Sequence, residues 1–180
     1  MQDQLIALLL VHQPVDAAEA LHLQKTLEFV THTRNCCSRQ TLAGHVTASA
    51  WILSPDGQAA LLTHHKKLNR WLQLGGHVDD SDINIQAAAT REAQEESGIQ
   101  DLQLLQATLF DVDAHAIPAR HNEPAHYHYD LRFLFQALHP DFCVSDESHD
   151  LAWVPLATLA NDDNNESVNR MAKKTLKNSS

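Results

Sequence analysis

From His126 to Leu138 the chain reads HYHYDLRFLFQAL, and its character alternates residue by residue. Tyr127, Tyr129, Leu131, Phe133 and Phe135 share one side of an extended segment and His126, His128, Asp130 and Arg132 the other, because successive strand side chains point to opposite faces. A strand with so apolar a face must be covered, so this segment commits the chain to a sheet packed against other elements. The preceding stretch LLQATLFDVDAH repeats the pattern, with Asp111, Asp113 and His115 in one row. Hairpin pairing across the loop that holds Pro118 and Pro124 would set the two polar rows side by side. Two readings of these rows stay open. One is the wet side of a half-exposed antiparallel sheet. The other is a substrate groove in which neutral His126 and His128 hydrogen-bond a ligand or hold a second, softer metal.

Other segments supply the covers. The run HVTASAWIL, the turn Ser54-Pro55-Asp56-Gly57 and then AALLTHH form a hairpin signal, and a short strand is expected near Leu151 to Val154. Residues 83–97 read as a helix closed by Gly98. Asp16 and Glu19 make a capping box, followed by Ala20, Leu23, Leu27 and Val30 at helical spacing, which predicts a helix over 17–31. Its apolar face can pack on the run Leu5 to Val11, which Pro14 stops. The polar NDDNNES caps a last helix through Arg170 and Lys173. Composition changes near Thr41 to His45, dividing the chain into an N-terminal helical extension, 1–43, and a domain, 44–180. Helices interspersed with hairpins give an α+β fold, a mixed sheet between helices.

A net charge of -10 argues against a surface that tracks long nucleic acid, but leaves room for a small phosphorylated ligand held through metal. Three cysteines, two of them adjacent at Cys36 and Cys37, make no disulfide framework and suit a reducing compartment. The apolar run Leu5 to Val11 falls far short of the roughly 20 residues that cross a bilayer. It carries neither a basic leader nor a cleavage signal, so a cytoplasmic protein without membrane contact is expected.

The densest chemistry lies between Gly75 and Ile99. Glu92, Glu95 and Glu96 stand at i, i+3 and i+4, so their carboxylates leave one side of a helix. Close carboxylates repel unless a cation sits among them. They are hard donors, suited to Mg2+ or Mn2+ that also takes phosphate oxygens. Arg91 can reach Glu95 or a carboxylate in the preceding loop. A solvated acidic face is the competing reading.

Gly76, Asp82 and the run Arg91-Glu92-Ala93-Gln94-Glu95-Glu96-Ser97-Gly98-Ile99 resemble the Nudix box, in which Gly, five residues, Glu and seven residues precede Arg-Glu-hydrophobic-x-Glu-Glu-x-Gly-hydrophobic. The second half matches at every defined position. In the first half Asp82 replaces glutamate and eight residues separate it from Arg91, so Asp82 is either part of the box or a helix N-cap. WLQLGGH and DLAWVPL extend the likeness over about residues 44–177. The resemblance implies an α/β/α sandwich with a mixed sheet, Glu92, Glu95, Glu96 and a carbonyl at Gly75 or Gly76 as metal ligands, and Arg91 orienting the box. Within that family the general base varies in position. Glu92 comes first, with Glu123 and Glu147 as rivals. The faint likeness of TRNCCSRQ to an isopentenyl diphosphate isomerase motif fails for want of a histidine after Ser38.

Lys66, Lys67 and Arg70 precede the box and are read as phosphate contacts or as solubilising charge. His77 follows the glycines and is read as a phosphate contact, and Trp71 as a base platform or core residue. The function implied is a Mg2+- or Mn2+-dependent hydrolase of a diphosphate bond in a nucleoside diphosphate linked to another group. A non-catalytic nucleotide sensor and an RNA-end pyrophosphohydrolase are the alternatives. The partner expected is a small nucleotide, with a homodimer through the N-terminal helices as an option.

Overall fold

HVTASAWIL forms the middle of the sheet. In the computed structural model, which describes residues 1–65, 70–119, 124–144 and 148–178, strand β1 (Gly44–Leu53) is buried along its whole length. One edge pairs in parallel with β7 (His126–Ala137), with His45 opposite His128, Thr47 opposite Asp130 and Ser49 opposite Arg132. The other edge takes β4 (Leu74–His77), antiparallel, with Ser49 opposite Gly75. Because β4 occupies that edge, the expected hairpin opens after its turn. β1 meets β2 (Ala59–His65) only at Leu53 and Ala60, and β2 runs instead between β3 (Arg70–Leu72) and β8 (Ser148–Pro155).

The stretch expected as one strand before Pro118 is split. β5 (Leu102–Leu104) pairs with the far half of β7 and β6 (Asp111–Ile117) with its near half. Between them the chain loops out, and the Gln106 amide donates to the Leu109 carbonyl at 3.0 Å. The β6 register sets Asp111 against Arg132, Asp113 against Asp130 and His115 against His128. The polar rows therefore meet as expected, but Asp111, Asp113, Asp130 and Arg132 are buried rather than wet.

Helices cover both faces of this mixed sheet, an α+β sandwich. Helices α1 (Gln2–Val11), α2 (Ala17–His32) and α3 (Ile85–Ser97) supply Leu5, Leu9, Val30, Ile85, Ala88, Ala89 and Ala93 to a core shared with Val46, Ala48, Leu131 and Phe133. On the opposite face α4 (Leu156–Leu159) and α5 (Glu166–Asn178) pack Leu156, Val168 and Met171 against Trp51 and Leu134. Small alanines let α3 lie close to the sheet. No helix among the described residues is long and apolar enough to cross a membrane.

Charged residues bind the two layers together at the β6 edge. Asp16 caps α2 by accepting from the Glu19 amide, but the Glu19 side chain turns inward, accepting from the Val15 amide at 2.8 Å and meeting His12 Nε2 and Lys174 Nζ. Lys174 also donates to Asp111 at 2.8 Å, Arg170 binds the same carboxylate through two nitrogens, and Arg132 joins Asp111 to Asp130. Burial alone would raise the Glu19 carboxyl, yet its hydrogen bonds to His12, Lys174 and Val15 outweigh that and hold it at about 2. A carboxylate whose folded value lies below its unfolded value stabilises the fold above the unfolded value and stops doing so as pH falls through the folded one. Stability should therefore decline between the ordinary 4.5 and about 2. Urea unfolding at stepped pH checks this: Glu19→Gln should show a shallower slope in that window, and an unchanged slope would remove Glu19 as its source.

Candidate active site

The box begins where β4 leaves the sheet. Asp79 and Asp82 close a turn, with the Asp82 amide donating to the Asp79 carbonyl and the Asp79 amide to the Asp82 carboxylate. Asn84, not Asp82, caps α3 by accepting from the Ala87 amide, and Gly98 ends the helix in the left-handed conformation. Asp82 is free to face Arg91, which grips it through two nitrogens at 3.1 and 2.9 Å. The same guanidinium donates to the His77 carbonyl at 2.9 Å and to Glu92 and Glu95 at 3.0 Å each. The extra residue between Asp82 and Arg91 is thus absorbed in the loop while the arginine still fastens loop to helix.

Gly75 and Gly76 let the acidic side chains lie on bare backbone. Glu96 accepts from the Gly75 amide at 2.9 Å. Gly75, at φ 147°, would set a Cβ 2.5 Å from Ser49 Cα and 2.6 Å from the Ala48 carbonyl oxygen, so that position requires glycine. A Cβ on Gly76 would fall 2.6 to 2.8 Å from the Glu92 carboxylate atoms and push that side chain away. Burial raises the Glu92 carboxyl above its ordinary value, more than Arg91 lowers it, and Glu95 and Asp79 add to the rise. Glu95 remains exposed. Glu92, Glu95, Glu96 and the glycine backbone are thus an oxygen-donor set that fits a hard divalent cation.

Beside the box opens a cleft of about 860 Å³, lined by Gly75, Gly76 and His77 and, across β1 and β7, by His45, His128 and Asp130. Asp130 is fully engaged, accepting from Thr47, Ser49, Gln73 and Arg132 at 2.7 to 3.0 Å. His126 and His115 stand at its side, and Arg39 and Arg70 are exposed along it. Burial and the neighbouring imidazoles and Arg39 hold His45 and His77 at about 4. Burial, with His115 and His77, holds His128 at about 3. All three are neutral at pH 7.

Arg91, Glu92, Glu95, Glu96 and Gly76 therefore lie together on the box, and Arg70, His77, His126 and His128 on the adjoining cleft. Lys66 lies outside the described residues, as do Lys67, Glu123 and Glu147. Trp71 sits in neither the core nor the cleft lining; it is 37% exposed and stacks on His64. Sequence reasoning missed His45, Arg39, Thr47 and Ser49. The alternation of His45, Thr47 and Ser49 with Val46, Ala48 and Ala50 was the available signal, but their parallel partner on β7 lies some eighty residues away.

The NUDIX domain family profile matches residues 43–174. The chain belongs to the NUDIX domain family. No curated protein matches this Nudix chain. Among solved structures, an Ap4A hydrolase of C. elegans in a binary complex is similar at 20% identity and TM-score 0.58, with 73% of this chain and 95% of that one covered. A NUDIX-family hydrolase of Clostridium perfringens is similar at 26% identity and TM-score 0.57, covering 76% and 98%. The dihydroneopterin triphosphate pyrophosphohydrolase of E. coli is similar at 16% identity and TM-score 0.55, covering 73% and 95%.

Proposed function

We propose that this Nudix hydrolase cleaves the diphosphate linkage of a nucleoside diphosphate joined to another group, with Mg2+ or Mn2+ as cofactor. The observation that carries the reading is the glycine pair: the Glu92 carboxylate lies where a Gly76 side chain would stand, Glu96 accepts from the Gly75 amide, and Gly75 and Gly76 themselves line the cleft. A diphosphate in the cleft would thus lie against the acidic box. Divalent metal, when held by Glu92, Glu95 and Glu96, would screen the diphosphate's charge and lower the pKa of an attacking water.

The chain's own residues do the rest. Glu92, whose carboxyl is raised by burial, accepts the proton of the attacking water as general base. Arg91 fixes Glu92 and Glu95 relative to the loop. Arg39 and Arg70 at the cleft meet substrate phosphate. The neighbours' named substrates differ from one another, so the fold supports the bond type and leaves the leaving group to the cleft.

The test is a hydrolysis screen over nucleotide sugars, dinucleoside polyphosphates, ADP-ribose, NADH and oxidised nucleoside triphosphates with Mg2+ and Mn2+ compared. Metal-dependent cleavage at a diphosphate is expected. Tight binding of a nucleotide without turnover under either metal would make the chain a sensor instead. With the best substrate, Arg39→Ala and Arg70→Ala should each raise KM several-fold and leave kcat nearly unchanged, as for contacts that hold ground and transition states alike. Unaltered KM in both variants would take phosphate recognition away from this rim.

A further inference from the structure

We infer that His45, His77 and His128 form a second cation site in the cleft, built for a borderline divalent transition metal such as Zn2+ or Co2+. Ligand nitrogens of the three rings lie within 4.8 Å of one another. The His45 ring centroid stands 5.0 Å from that of His77 and 4.7 Å from that of His128. His45 is 4% exposed, and both of its ring nitrogens are buried without a hydrogen-bond partner. Such an orphaned polar ring is costly unless something coordinates it. Three imidazoles with open positions toward a cleft make a recurrent binding set for such ions.

His126 extends the set. Its Nδ1 lies 2.9 Å from the Pro124 carbonyl, which can only accept, so Nδ1 carries a proton and Nε2 is the nitrogen left to ligate in the neutral ring. That Nε2 lies 3.2 Å from His128 Nε2. A ring N–H fixed by a backbone carbonyl, with the other nitrogen turned into the cluster, is how ligating histidines are held. Tetrahedral ligand nitrogens at ordinary Zn–N lengths stand about 3.3 Å apart, so gathering the rings on one ion takes side-chain shifts on the order of 1 Å. The donors are nitrogens, and the carboxylate that acts on His128, Asp130, is taken up by Thr47, Ser49, Gln73 and Arg132. The imidazole site and the oxygen site of the box therefore select different metals.

Binding, not turnover, tests this, so the outcome is independent of the hydrolase reading. Full-length, tag-free protein stripped with chelator is titrated with Co2+ in excess Mg2+, following the visible absorption of the bound ion, and then with Zn2+ as competitor. One Co2+ displaced by Zn2+ is expected in the wild type and in Glu96→Gln. In His128→Ala and His77→Asn, with folding checked by circular dichroism, affinity should fall by about tenfold or more. Equal Co2+ affinity and spectrum in both histidine variants would overturn the site, as would loss of the signal in Glu96→Gln, which would assign the ion to the box.

Discussion

Glu92→Gln is expected to lower kcat by about a hundredfold or more while leaving the fold intact. The substitution removes a carboxylate that is at once a proposed oxygen donor of the box, seated where a Gly76 side chain would stand, and raised in proton affinity by burial. Glutamine keeps an oxygen to accept from Arg91, and Arg91 keeps Asp82 and the His77 carbonyl. Loss of a buried charge beside Glu95 and Asp79 also relieves repulsion. Steady-state rates at saturating Mg2+ and Mn2+, with thermal melting alongside, make the check. A variant with near-normal kcat would remove Glu92 from the chemistry, and a collapsed melting temperature would assign it to the fold.

The largest loss of stability should come from Asp111, on β6. This fully buried carboxylate receives Arg132, Arg170 and Lys174 at 2.8 to 3.1 Å. Removing one partner of a buried ionic cluster leaves the others uncompensated, which costs about 3–5 kcal/mol. Asp111→Ala should cost that much in urea unfolding. Asp111→Asn, with nearly the same volume, should be comparably damaging because the charge rather than the packing is lost. A cost below about 1 kcal/mol for the asparagine variant would show that the cations find other partners.

The box was legible because its determinants are local: helical spacing puts Glu92, Glu95 and Glu96 on one side whatever the helix packs against, and Gly98 marks its end. The alternation of β6 and β7 likewise revealed which residues share a face, and their register follows from the antiparallel pairing. What could not be read was the parallel docking of β1 on β7, which no local turn encodes. That docking brings His45 to His128 and drives Thr47 and Ser49 onto Asp130. The charge network was hidden for the same reason. Glu19 reads as a capping-box residue, and only the tertiary fold turns it inward to Lys174.

Glu19 and Lys174 are separated by 155 positions, and that distance bears on how the protein is made. Synthesis delivers Glu19 that many positions ahead of Lys174. A nascent chain whose ribosome has not yet released α5 holds Asp111 with Arg132 alone among its basic partners, lacks the cover over Trp51 and Leu134, and leaves Glu19 without its lysine. Sheet and box can take shape while α5 is still within the ribosome, but the clasp between the first helices and α5 closes only once α5 has emerged. Premature termination before α5 would therefore yield a chain with exposed apolar surface and unmatched charge, a substrate for chaperones and proteases.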